Sequence, residues 1–109
     1  MVSAELALAV PSVLLVLATC LTALALGVDQ VRVVDAARVA ARAASRGEDP
    51  AAVERLARAR APEGAVISID ATPDRVTILV AAPARVRWLP ALPGARAGAQ
   101  ALWEPGAGP

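Results

Sequence analysis

The apolar positions at the start of the chain show no alternation and no one-sided stripe; they form an unbroken block. From Leu6 to Val28, "LALAVPSVLLVLATCLTALALGV", 23 residues carry no charge. As a helix this block would reach about 35 Å at 1.5 Å per residue, enough to cross a bilayer. Ser12, Thr19 and Thr22 are expected to return their hydroxyls to carbonyls one turn back. Pro11 is tolerable inside such a segment, with a kink expected there, because neighbouring groups can satisfy the carbonyl it frees. A cleaved secretory signal is the competing reading, since Ala23-Leu24-Ala25 has the small-residue spacing of a cleavage site. Two features oppose it. The residues ahead of the block hold Glu5 and neither Lys nor Arg, and the block is longer than the roughly 7 to 15 residues of a signal core.

Beyond Val28 the pattern becomes periodic. Arg32, Asp35, Arg38, Arg42 and Arg46 follow one another at steps of three, three, four and four, which makes a polar stripe on a helix. Val31, Val34, Val39 and Ala41 fall on the remaining surface. The membrane helix is therefore expected to continue as an amphipathic stalk ending at Gly47, with Asp35 and Arg38 as an i,i+3 pair. The arginine stripe by itself would favour a cytoplasmic C-terminal side.

"EDPAAVERLARARAP" predicts a second helix, with Asp49 as N-cap, Pro50 at the first helical position and an end by Pro62. Glu54 and Arg58 are spaced for an i,i+4 pair, and Val53, Leu56 and Ala57 supply a packing face expected to fold back on a small sheet. "EGAVISIDATPDRVTILVAA" predicts a β-hairpin over 65–71 and 76–82 around a Thr72–Arg75 turn. Ile67 and Ile69 should face the core, with Ser68 and Asp70 wet. Pro83, Pro90 and Pro93 interrupt the chain after the hairpin. A last strand is predicted over 96–103, where Ala97, Ala99, Ala101 and Trp103 share a face. The fold class is α+β: a long N-terminal transmembrane helix, its amphipathic extension, a second short helix and an antiparallel sheet of two or three strands. The expected division is 1–28 for the membrane helix, 29–46 for the extension, 47–104 for a small head and 105–109 for a disordered tail.

Composition narrows the function. At 109 residues, one small domain is the most the chain can hold besides its membrane segment. Eleven arginines against ten acids leave a net charge of +1, so no global field attracts nucleic acid. The chain has no His, and its single Cys, Cys20, lies inside the apolar block. No zinc or haem ligand set can be assembled from these residues, and no cofactor is expected. Cys20 reads as a small core residue. Trp88 and Trp103 read as the largest pieces of a small core, the alternative for Trp88, beside Arg85 and Arg87, being an adhesive or lipid-contacting patch. Glu63, Asp70, Asp74, Ser45 and Ser68 have no partnering base nearby in sequence, so no catalytic residue is assigned and an enzyme is not expected. A pocket with two converging carboxylates would reopen that question.

Glu5 remains to be explained. An acid at the fifth position before an apolar helix, followed by an amphipathic extension and a small α+β head, resembles the N-terminal region of type IV pilins. "MVSAELALAVPSVLLVLA", "VDAARVAARAASRGEDP" and the closing "WEP" are similar to TadE-like minor pilins of tight-adherence pilus systems. The resemblance implies a non-enzymatic pilus assembly component that works with other pilin subunits, pilus-assembly membrane proteins and lipid. It also implies a prepilin peptidase, if a basic leader ending in Gly precedes Met1. Carried over, Met1 is the first mature residue and Glu5 the assembly carboxylate, with the head outside the cytoplasmic membrane or on the cell surface. Leu6 departs from the aromatic that often follows the Glu in the major pilins, which fits a minor member better. Physically, packing such helices into a filament would bury Glu5, and the N-terminal ammonium of a neighbouring subunit is the cation at that depth. The bland alternative for Glu5 is a favourable position at the helix N-terminus. For the whole chain it is a generic single-pass accessory subunit with a small outer domain.

Overall fold

A single helix, α1 (Val2–Ser45), carries the molecule. The structure, a computed structural model, describes residues 2–108. Its extents of 76 × 20 × 18 Å are those of a rod with a small head at one end. Along α1 the surroundings change once. Residues 2–28 are exposed, apart from half-buried Thr22, Ala25 and Leu26, whereas Asp29, Val33, Ala36, Ala37, Ala40, Ala41, Ala43, Ala44 and Ser45 are buried. The helix is long and apolar enough to cross a membrane, with a mean hydropathy of 2.3 over its best window and no part of that window buried against the rest of the chain. It passes through Pro11 without interruption. The expected hydroxyl returns are present: Ser12, Thr19 and Thr22 donate to the carbonyls of Leu8, Leu15 and Ala18 at 2.9, 2.9 and 2.8 Å. Cys20 is exposed on the rod, not buried in a core, because the head begins only two turns further along α1.

The end of α1 is a Schellman motif. Gly47 takes φ +83°, its N–H reaches the Ala44 carbonyl at 2.9 Å, and the Glu48 N–H reaches Ala43 at 3.4 Å. Helix α2 (Pro50–Arg60) then turns back. Asp49 holds the N-cap position, but its side chain makes no capping bond, so the first turn relies on Pro50 and on the Asp49 carbonyl, which accepts from the Val53 N–H at 3.0 Å. Val53 and Ala57 are buried and Leu56 packs beside them. This face lies mainly against α1, with a lesser contact to the sheet. Arg58 pairs with Glu54 at 2.9 Å as expected. Asp35, by contrast, pairs across to Arg60 at 3.1 Å rather than along its own helix to Arg38.

The sheet is an antiparallel meander in the order β1 (Val66–Ala71), β2 (Arg75–Ala81), β3 (Arg96–Leu102). Ala71 is opposite Val76 across the turn, and Ile78 is opposite both Ile69 and Ala99. In the turn Thr72 closes the loop twice, its N–H donating to the Arg75 carbonyl at 2.8 Å and its hydroxyl accepting from the Arg75 N–H at 3.2 Å. Val76, Ile78 and Val80 of the central strand are buried against α1. Ala97, Ala99, Ala101 and Trp103 pack beside them, as their alternation predicts. On the edge strand only Ile67 packs inward, while Ile69 is exposed.

Nine of the fourteen buried core residues are alanine, so the helix can lie close to the sheet and the core is thin. Trp103 packs on this core, and its indole N–H donates to the Thr72 carbonyl at 2.7 Å. Trp88 does not belong to the core: it is 82% exposed. Its segment runs back along the apolar half of α1, away from the sheet. Within the 105–109 segment expected to be a disordered tail, residues 105–107 form a turn. The Glu104 N–H donates to the Ser45 carbonyl at 2.9 Å, and Gly108 lies against the Trp103 ring.

With so few large side chains in the core, Ile78 is the most consequential single contributor. Ile78→Ala should cost about 3 kcal/mol, within the range for truncating a buried aliphatic side chain. Denaturant unfolding of the full chain in detergent, followed by Trp103 fluorescence in a Trp88→Phe background, checks this. Asp49→Ala in the same assay should leave the midpoint nearly unchanged, because no side-chain cap is lost.

Candidate functional site

Glu5 stands exposed in the first turn of α1. Asp29, where the head begins, is 24 residues further on, about 36 Å along a helix. Met1, its expected assembly partner on a neighbouring subunit, lies outside the described residues. Pro11 frees the Ala7 carbonyl two residues beyond Glu5, and the Ser12 hydroxyl sits on the adjacent Leu8 carbonyl. The five ion pairs among the described residues all lie at Asp29 or beyond, in the head half of the molecule. Among the described residues no head side chain neutralises Glu5, so a partner for it must come from outside the head.

At the other end of the apolar half, the structure assembles a site that local sequence reasoning misses. Asp29, the first charge after the apolar block, is 2% exposed. Both its oxygens are taken by Arg85 in a forked contact, Nε to Oδ2 at 2.7 Å and Nη2 to Oδ1 at 2.8 Å. Hydrogen bonding by Arg85 holds the Asp29 carboxyl below the usual carboxylate range. Burial opposes the shift, and the charges of Arg85 and Arg32 add to it. Arg85 is raised in turn by the same hydrogen bond and charge.

Arg85 belongs to the β2–β3 loop, residues 82–95. The stem of that loop is closed by the Ala82 N–H donating to the Ala95 carbonyl at 2.7 Å. Gly94 is required there, because any Cβ would collide with the carbonyl of Ala82. Alongside the stem, the Gln30 amide donates to the Arg96 carbonyl at 3.3 Å. The loop is thus tied to α1 at the level where the rod leaves its apolar segment. Past Arg85 it descends, so that Val86, Trp88, Leu89 and Leu92 line an apolar cleft of about 430 Å³ with Leu15, Ala18, Thr22 and Leu26 of α1.

A second, polar cleft of about 340 Å³ brings Asp29 and Glu63 together with Arg32 and Arg85. These are two carboxylates in one pocket, the arrangement that would reopen an enzymatic reading. Asp29, however, has both oxygens occupied and its proton affinity lowered, the reverse of what a general acid needs. The cleft is the open side of an ion pair. Among the described residues no three His, Cys, Asp or Glu side chains are grouped to hold a metal ion.

Comparison with family models, with curated proteins and with solved structures returns no match for this chain.

Removing either partner of the clamp should have unequal effects. Arg85→Ala strands a buried carboxylate, whereas Asp29→Asn leaves a neutral acceptor beneath a half-exposed guanidinium, so the first should lower the melting temperature more. The pH dependence follows from the sign of the Asp29 shift. Because its folded pKa is depressed, the stabilisation is complete above its unfolded value near pH 4 and disappears as pH falls through the folded value. Thermal melts from pH 7 down to pH 2 should show the gap between wild type and Arg85→Ala narrowing below about pH 4. A gap that stays constant to pH 2 would remove Asp29 as its source.

Proposed function

We propose that this chain is a non-enzymatic minor pilin or pilin-like assembly component of a tight-adherence pilus. In this reading it is held in the cytoplasmic membrane by α1, with its head on the outer side. The observation that carries the reading is the division of one continuous helix. Its second half is the floor of the head, while its first half is apolar, largely exposed and marked by a single acid, Glu5, in the first turn. A subunit built this way can exchange lipid for the equivalent helices of its neighbours without disturbing its head. That is what incorporation of a membrane-stored subunit into a filament requires. The resemblance of "MVSAELALAVPSVLLVLA" to TadE-like minor pilins adds the identity of the filament.

The mechanism follows from charge. Exposed in the first turn of an isolated α1, Glu5 can stay hydrated at the membrane edge. Bundling α1 with other helices removes that water, and an unpaired carboxylate would then oppose assembly. Pairing Glu5 with the N-terminal ammonium of an adjacent subunit removes both penalties and sets the axial stagger between the two helices. In this scheme a subunit in the wrong register leaves two buried charges, so the ion pair selects register as well as stabilising it.

Glu5→Gln keeps the shape of the side chain and leaves the neighbouring ammonium unpaired, a change that costs about 3 to 5 kcal/mol when a buried pair is broken. The variant should reach the membrane at normal levels, because losing an acid makes the segment more apolar, and should vanish from the pilus fraction. A role at the helix N-terminus alone is worth about 1 kcal/mol or less and would leave incorporation nearly intact. Co-purification with sheared pili, together with mass spectrometry of the mature N-terminus, decides between them. Normal incorporation of Glu5→Gln, or a mature chain whose amino group is not at Met1, would overturn the pairing.

A further inference from the structure

The geometry points to the tip of the β2–β3 loop as a second membrane contact, a wedge around Trp88 that sits in the headgroup region of the same bilayer α1 crosses. This goes beyond the pilus reading and rests only on α1 being inserted in lipid.

Three features of the loop carry it. First, Trp88 is the largest side chain of the loop and is 82% exposed, with exposed Leu92 nearby. A folded head in water would gain by burying both. Second, the cleft they form with α1 is lined from the helix side by residues of the membrane segment, Leu15 to Leu26. Val2 to Leu21 alone reaches about 30 Å as a helix, enough for the hydrocarbon, so the head-side part of the cleft, Thr22 to Leu26, lies at headgroup level and the loop tip beside it is not in bulk water. Third, the loop is held in this position and does not hang free. The Asp29–Arg85 fork at 2.7 and 2.8 Å ties the loop to α1, and the Ala82–Ala95 bond at 2.7 Å closes its stem.

The chemistry of the loop matches the boundary of a bilayer better than its interior. Trp favours the interface, where its apolar body meets acyl chain and its N–H meets water or a headgroup. Arg87, exposed beside Trp88, is long enough to reach lipid phosphate while its stem stays apolar. Irregular backbone is excluded from hydrocarbon unless its polar groups are met. Here two turns meet part of the need, with the Leu89 N–H on the Val86 carbonyl at 3.4 Å and the Leu92 N–H on Leu89 at 3.1 Å. Pro83, Pro90 and Pro93 have no N–H to satisfy. The remaining groups require water, and only the headgroup layer supplies both water and apolar depth. The occupant of the cleft is therefore lipid. A second protein chain is not needed to cover it, since the bilayer already surrounds the helix wall.

The two tryptophans make the test direct. Trp103 lies at the far end of the head, beside Thr72 and the end of α1, so it serves as an internal control. The full chain is reconstituted into vesicles of phosphatidylcholine and phosphatidylglycerol whose acyl chains carry bromine at shallow or deep positions. In Trp103→Phe, which leaves Trp88 as the fluorophore, emission should be blue-shifted and lose most of its intensity to shallow bromine, with a smaller loss to deep bromine. In Trp88→Phe, emission from Trp103 should be unchanged by either lipid. Water-like emission from Trp88 with no quenching would overturn the proposal. So would a blue-shifted but unquenched Trp88 whose emission depends on the protein-to-lipid ratio, because a second copy would then cover the cleft. Equal quenching of both tryptophans would overturn it as well, since the whole head would then lie on the membrane. Fluorine NMR of the unsubstituted chain labelled with fluorotryptophan, with and without paramagnetic lipid, gives the same comparison without altering either ring: one broadened line is expected, and two or none would count against the loop.

Discussion

The forked contact between Asp29 and Arg85 occupies the one level of α1 where its surroundings change. Above it, α1 is the floor of a sheet; below it, the same helix is exposed except where the β2–β3 loop lies along it. A carboxylate at that level is expensive to bury and useful once paired. It ends the apolar segment, it draws a loop 56 residues further along the chain onto the helix, and through that loop it orients everything between β2 and β3. Without the contact, the head would still be a helix-backed meander. Its side nearest the apolar rod would lose its anchor.

The thin core has a related logic. α1 presents alanine on its buried face, and the sheet answers with Val76, Ile78 and Val80 from its central strand and alanines from β3. Small side chains on both surfaces bring backbone close to backbone, so the head gains its stability from extended close contact and few bulky anchors. The Schellman end at Gly47 and the return of Glu104 to the Ser45 carbonyl close the far end of this contact. The head is thus pinned to α1 at both ends, by an ion pair beside the apolar segment and by backbone hydrogen bonds away from it.

Most of the architecture was legible because it is written in local patterns. The uncharged block, the Pro50 helix start, the hairpin turn at Thr72–Arg75 and the alternation of Ala97, Ala99, Ala101 and Trp103 all depend on neighbours within a few residues. Features that depend on pairs far apart were not legible. In a helix with alanine on every side, periodicity fails to say which face is buried: Val31 and Val34 look as apolar as Val33, yet only Val33 is in the core. Asp29 reads as a boundary residue until Arg85 is placed beside it. Trp88 carries the size of a core residue, and only the course of the loop shows that it faces outward. Asp35 had an acceptable partner in Arg38 and takes Arg60 instead, because α2 crosses there.

The unbroken run of α1 from Val2 to Ser45 makes the rod transmit angle as well as height. Each residue advances the helix by about 1.5 Å and turns it by about 100°, so the compass bearing of the head is locked to that of Glu5. Lengthening the apolar half by one residue barely changes its reach, but it swings the head through more than a quarter circle. A length change of seven residues, close to two full turns, nearly restores the bearing. Any assembly that reads this rod at one end and its head at the other is therefore sensitive to the phase of the helix, and tolerance to insertions should come and go with its pitch.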